Sequence, residues 1–224
     1  TNAGYFHSVV SGDTVNNGLT TAAKYTVKVN VPYKIKNITW ADEGTDLVSL
    51  LKASQSSGIL KAGNQYNLGD LKAEKDRLDL FVKTKGYYFF SPDYIMIYAD
   101  STIGNNEVDI IMQLKKEIPA NATKAFGINS LTVYPDYTLL QPPPDTRKEM
   151  MLNIDGLLIP DTIHNFKPAL CKKIVTYRPG KMYSSPGHNT TLNRLINLGS
   201  FKFVKNRYEP VRDTAGKPAL DVYY

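Results

Sequence analysis

The sequence predicts an α+β fold built from tandem β-α-α-β-β units, each a three-stranded mixed sheet with two helices on one face. Three observations carry that prediction. A glycine followed by aromatics occurs at three places: Asn2-Ala-Gly4-Tyr5-Phe6, Thr84-Lys-Gly86-Tyr87-Tyr88-Phe89-Phe90 and Asn197-Leu198-Gly199-Ser200-Phe201-Lys202-Phe203. Helical periodicity leads into the last two. Each phrase is followed by a pair of strand-like segments.

The helices come first. Leu71, Leu78, Phe81 and Val82 share one face ahead of Gly86, and Leu192, Leu195 and Ile196 do the same ahead of Gly199. The glycines Gly4, Gly86 and Gly199 then read as helix stops. Glycine tolerates the left-handed turn that ends a helix, and Tyr87 and Phe201 are expected to start strands. Upstream, Gly63-Asn-Gln-Tyr66 and Gly180-Lys-Met-Tyr183 match each other, with Asn67 and Ser184 or Ser185 as caps.

The strands follow. Ala23, Tyr25, Val27, Val29 and Val31 alternate with polar residues. Asp93–Ala99 is an aromatic and β-branched run, Gly104-Asn-Asn106 a turn, and Val108, Ile110, Met112 and Leu114 repeat at period two. Phe201–Tyr208 and Leu220–Tyr224 make a third pair across Asp213-Thr-Ala-Gly216. A leading strand and short helix are expected at Tyr33–Trp40 and Leu47–Ala53, and again at Phe126–Tyr134 and Ala169–Tyr177. The domain plan is then a partial unit over 1–32, a complete unit over 33–117 and a last unit over 118–224. The stretch 139–166 reads as a surface insertion, broken by Gln141-Pro-Pro-Pro144, with a short extra strand at Leu157-Leu-Ile159.

Composition bounds the function classes. The chain has 224 residues, 42% of them apolar and 21% charged, enough for a real core. Cys171 is the only cysteine, which rules out an internal disulfide. Thr1, with no initiating Met and no basic-then-apolar leader, reads as a processed or artificial end. The net charge of +6 resides in residues 118–224, where 14 basic residues face 8 acidic ones. Lys172, Lys173, Arg178, Lys202, Lys205 and Arg207 form the expected basic face toward a membrane surface or acidic partner. No catalytic or metal constellation stands out. His7, His164 and His188 lie far apart without carboxylates at ligand spacing, and Cys171 reads as a buried inert thiol. Neither an enzyme nor a cofactor is expected.

The repeated unit, with its Leu-x-x-Phe-x-x-x-Gly-Tyr-Tyr-Phe passage spanning Leu78–Phe90 and its counterpart at Tyr183–Tyr208, resembles the POTRA (polypeptide-transport-associated) domain. Such domains form the periplasmic arm of the BamA-like and TamA-like outer-membrane assembly proteins. The resemblance implies a periplasmic location. It also implies a tether through a C-terminal membrane β-barrel beyond Tyr224, unfolded outer-membrane protein chains as clients, and accessory periplasmic or lipoprotein subunits as further partners. The truncated first unit and the long Pro-rich insertion depart from the family pattern.

A sheet of this topology leaves the first strand of its hairpin at an edge, where an extended client can add as another strand. In the middle unit that edge is Tyr94, Ile95, Met96, Ile97 and Tyr98, an apolar run without a charge. The competing reading is a nucleic-acid-binding module using the basic, aromatic last unit.

Overall fold

The computed structural model describes residues 2–41, 44–138, 150–160 and 167–224. They form two compact units. One comprises residues 1–79 and 91–118, the other residues 80–90 and 119–224. The expected boundaries at 33 and 118 followed the repeat. The compact grouping instead carries 1–32 with the first unit and the Gly86 phrase with the second.

The first unit holds β1 (Val9–Asn17) and β2 (Thr20–Lys28), an antiparallel hairpin whose strands are exposed throughout. It also holds β3 (Lys34–Trp40), β4 (Ile95–Asp100) and β5 (Glu107–Leu114), in the order β3-β5-β4. β5 is central, parallel to β3 and antiparallel to β4. Its alternation sorts the faces: Val108, Ile110 and Met112 are buried, while Asp109, Ile111 and Gln113 are partly exposed. Helices α1 (Asp46–Ala53) and α2 (Leu68–Lys83) contribute buried Leu47, Val48, Leu51, Leu71 and Leu78. The Thr45 hydroxyl caps α1 at the Val48 N–H, and the Asn67 side chain accepts from the Gly69 N–H at the start of α2.

The second unit contains β6 (Gly127–Thr132), β7 (Met151–Ile154), β8 (Leu157–Pro160), α3 (Pro168–Ile174), α4 (Ser185–Asn197), β9 (Arg207–Arg212) and β10 (Pro218–Tyr223). Its sheet order is β7-β8-β6-β10-β9. The β6-β10-β9 part repeats the first unit. The insertion adds the rest: β8 pairs parallel to β6, and β7 folds back on β8. Leu157 and Ile159 of β8 are buried in the unit's core with Phe126, Ile128, Leu131, Cys171, Tyr183, Leu220 and Val222. Part of the expected surface loop is thus core. Gln141–Pro144 lies outside the described residues.

Two readings of local structure need correction. Neither Tyr87 nor Phe201 begins a strand. β4 starts at Ile95 and β9 at Arg207, each after an irregular stretch. Ile196, assigned to the buried face of α4, is 53% exposed, whereas Leu195 and Thr191 are buried.

Candidate functional site

The outer side of β4 is the candidate site. In an antiparallel pair, alternate residues direct both backbone groups at the partner strand and the others direct theirs away. The Lys115 N–H donates to the Tyr94 carbonyl, which places even-numbered residues on the bonded side. Met96, Tyr98 and Asp100 therefore bond to β5, and Ile95, Ile97 and Ala99 point outward. The Ile95 N–H is taken by the Pro92 carbonyl. That leaves the Ile95 carbonyl and both backbone groups of Ile97 and of Ala99 along a side that no described strand pairs.

Side chains divide by the same alternation. Ile95, Ile97 and Ala99 stand opposite Leu114, Met112 and Ile110, on the covered face, and Ile95 is fully buried. Met96 and Tyr98 stand opposite Gln113 and Ile111 on the open face, where Tyr98 is 48% exposed and accepts from the Gln113 side chain at 3.3 Å. Of the five residues expected at this edge, Tyr94 is not on the strand. Pro92–Tyr94 form a 3₁₀ turn opened by Ser91, whose hydroxyl accepts from the Asp93 N–H. Ala99, outside the expected set, carries outward backbone groups.

The corresponding edge of the second unit is closed to the same use. The Asp213 N–H donates to the Lys217 carbonyl, so odd residues of β9 bond inward and Tyr208, Pro210 and Arg212 point outward. Pro210 thus removes a donor from the open side without disturbing the ladder. Arg207, Glu209 and Arg212 add charge, which guards an edge against pairing. On the far side of that sheet, β8 covers the end of β6. The signal for this closure stood in the sequence as Asp155-Gly156. Its φ values of +54° and +83° make the tight turn between β7 and β8, and the Asn153 side chain accepts from the Gly156 N–H.

The repeated phrases have a shared structural use. Gly4, Gly86 and Gly199 have φ of +82°, +100° and +65°. The Gly4 carbonyl accepts from the Tyr33 N–H, and the Gly86 carbonyl from the Phe126 N–H, both at 2.9 Å. Gly63 and Gly180 donate to the Ile35 and Ile128 carbonyls, and Tyr66 and Tyr183 donate to those of Tyr33 and Phe126. In each unit, then, the Gly-x-x-Tyr phrase fastens the outer side of the leading strand. Asn37 donates to the Asp109 carboxylate at 2.9 Å and Asn129 to that of Asp221 at 2.7 Å, beside the irregularity in each parallel pair.

The basic residues do not form one free face. Lys172 pairs with Asp155 at 2.5 Å, and this holds the carboxyl of Asp155 below its ordinary range. Arg178 donates to the carbonyls of Lys172, Val175 and Tyr177, closing the end of α3. Arg207 pairs with Glu209 and lies over the Tyr223 ring. Lys173, Lys202 and Lys205 are exposed.

Tyr88, Tyr183 and Tyr208 of this unit form an inward-facing cluster. Tyr88 stacks on Tyr208 at 4.7 Å and meets Tyr183 edge-on at 5.0 Å. Among them His188 Nδ1 lies 2.7 Å from the Tyr208 hydroxyl and 3.0 Å from that of Tyr224. Burial lowers the His188 pKa and pushes Tyr224 up to about 12. Cys171 is buried, and its thiol is raised by the same desolvation. No group of metal-ligating side chains and no helix long and apolar enough to cross a membrane occurs among the described residues.

Known structures share this architecture. The crystal structure of Haemophilus influenzae BamA POTRA3-5 aligns over 100% of this chain and 73% of its own, at 16% identity and a TM-score of 0.52. The two units have the POTRA fold. BamA from Haemophilus ducreyi lacking POTRA domains 1-3 aligns over 85% of this chain, at 12% identity and a TM-score of 0.52, and the match spans 29% of that longer protein. No family model and no curated protein matches the chain by sequence.

Proposed function

We propose that this chain is a substrate-receiving and scaffolding arm of an outer-membrane protein assembly or translocation machine, and that it takes extended client segments as an added strand on β4. The observation carrying this reading is the pair of outward residues Ile97 and Ala99 on an edge that is apolar and uncharged up to Asp100 at its end. The equivalent edge of the other unit is guarded by Pro210 and three charges. Main-chain hydrogen bonds supply affinity with little demand on client sequence, which suits a receptor for many unfolded barrel chains. Binding of this kind needs no covalent step.

The likeness to BamA POTRA structures supports the setting: the periplasm, a tether through a C-terminal barrel, and unfolded outer-membrane proteins as clients, with accessory subunits alongside. Residues 1–32 fit this arrangement as the later part of a further unit, because β1–β2 repeats the hairpins β4–β5 and β9–β10. The nucleic-acid reading is disfavoured. The aromatics it would present to bases are stacked on one another, and three of the six basic residues have internal partners.

The test is a titration of the labelled chain with an extended barrel-strand peptide, following backbone amides. Shifts are expected at Ile95–Asp100. Ile97→Pro should abolish them while the β5 amides stay protected, because that N–H points away from the ladder. Shifts confined to the basic residues, with 95–100 silent, would refute the proposal.

A further inference from the structure

The open face beside β4 bears on which strands are taken, an inference that rests on the strand-addition reading. The charge on β4 is Asp100 alone, at the end of the strand. It stands directly opposite Asp109 on β5, so two carboxylates share the open face one strand spacing apart. Both accept hydrogen bonds, and those to Asp100 favour its ionised form. Thr102 donates its N–H and hydroxyl to Asp100 at 2.9 and 2.7 Å, and Asn37 donates its N–H and amide to Asp109 at 3.2 and 2.9 Å. Of the nearby cations, Lys36 stands on the far strand, already paired with Glu107 at 3.0 Å, and Lys115 lies just past β5 level with Tyr94, at the opposite end of the edge from Asp100. An added strand would lie on the other side of β4, about 4.8 Å from Asp100 and about twice that from β5. Two residues before Asp100 on the same face, Tyr98 offers a half-exposed ring and Met96 a thioether.

We infer that the β4 edge selects extended segments that place a Lys or Arg beside Asp100 and, two residues along, an aromatic beside Tyr98. Cross-strand pairs of opposite charge and of two aromatics are the favourable neighbours on a sheet face, and a carboxylate beside Asp100 would be repelled. The intervening residues would fall beside Ile97 and Ala99 on the covered face and should be small or β-branched. The occupant is therefore an alternating basic–aromatic strand, and acidic strands of equal hydrophobicity are discriminated against.

A capped peptide Thr-Lys-Val-Tyr-Val-Lys-Thr has the same side-chain order in both directions, so it serves either strand polarity. Its counterpart carries Glu in place of both Lys. Each is titrated into the labelled full chain, reading amide shifts at Ile95–Asp100. The lysine peptide should bind about three- to tenfold more tightly at low salt. Asp100→Asn keeps an oxygen for the Thr102 turn and should bring the two peptides within about twofold, and Asp100→Lys should reverse their order. Equal binding of both peptides at β4 overturns the selectivity while leaving strand addition in place. Silence of residues 95–100 with both peptides overturns both.

Discussion

Replacing Gly86 by alanine tests how the repeated phrase works. A Cβ at Gly86 would sit 2.6 Å from the Met182 Cε, 3.2 Å from the Ala125 Cβ and 3.3 Å from the Phe126 nitrogen, on a backbone with φ +100°. Met182 is 50% exposed and ends in a flexible methyl, so it moves cheaply. Ala125 and the Phe126 backbone do not, because Phe126 is buried and its N–H is bonded to the Gly86 carbonyl. The left-handed conformation costs about 1–2 kcal/mol and the crowding about 1 kcal/mol more. Alanine also stiffens the unfolded chain, which offsets about 0.5–1 kcal/mol of that strain, and a net cost of about 2 kcal/mol follows. At Gly199, φ is +65° and a Cβ meets nothing within 4 Å, so Gly199→Ala should cost about 1 kcal/mol. Hydrogen exchange of the Phe126 amide reads the difference where it arises. Gly86→Ala should lower its protection about 30-fold if it exchanges through unfolding of the second unit, with Gly199→Ala milder. Equal losses for the two variants would show that the close approach to Phe126 contributes nothing and that φ alone matters.

Other outcomes follow from the same contacts. Glu74 is buried and accepts from the Ile59 N–H at 2.7 Å and from Arg77 at 3.0 and 2.7 Å, so Glu74→Ala should cost the first unit about 2–3 kcal/mol in urea unfolding, with Glu74→Gln milder. His188 has its folded pKa below the ordinary 6.5, so the unfolded state takes up the proton first. The stability of the second unit should then be full above about pH 6.5 and fall as the pH drops below it, and His188→Leu should flatten that slope in thermal melts between about pH 7 and 5. Pro210→Val restores an outward N–H on β9, and amide shifts should then appear there with a strand peptide that leaves the parent β9 silent.

What the sequence determined by itself is local. The turn at Gly104-Asn-Asn106 has φ of +83°, +54° and +54°, as its residues require, and the alternation of β5 sorted the covered from the open face. The cap at Asn67 and the helix stops at Gly86 and Gly199 were also legible, because each is set by the preferences of a few adjacent residues, whereas no described helix precedes Gly4. The tertiary structure decided the partners. Which backbone groups of β4 point outward depends on the register against β5, through the bond from Lys115 to Tyr94, and no periodicity within β4 carries that. Tyr94 left the strand because Ser91 and Pro92 open a turn ahead of it. The insertion became core because Leu157 and Ile159 found β6, far back along the chain. Lys172, Arg178 and Arg207, alike in sequence as free charges, were taken up by Asp155, by the end of α3 and by Glu209. Periodicity reports which face of a segment is apolar; only the closed fold reports which long-range neighbour covers it and which edge is left open.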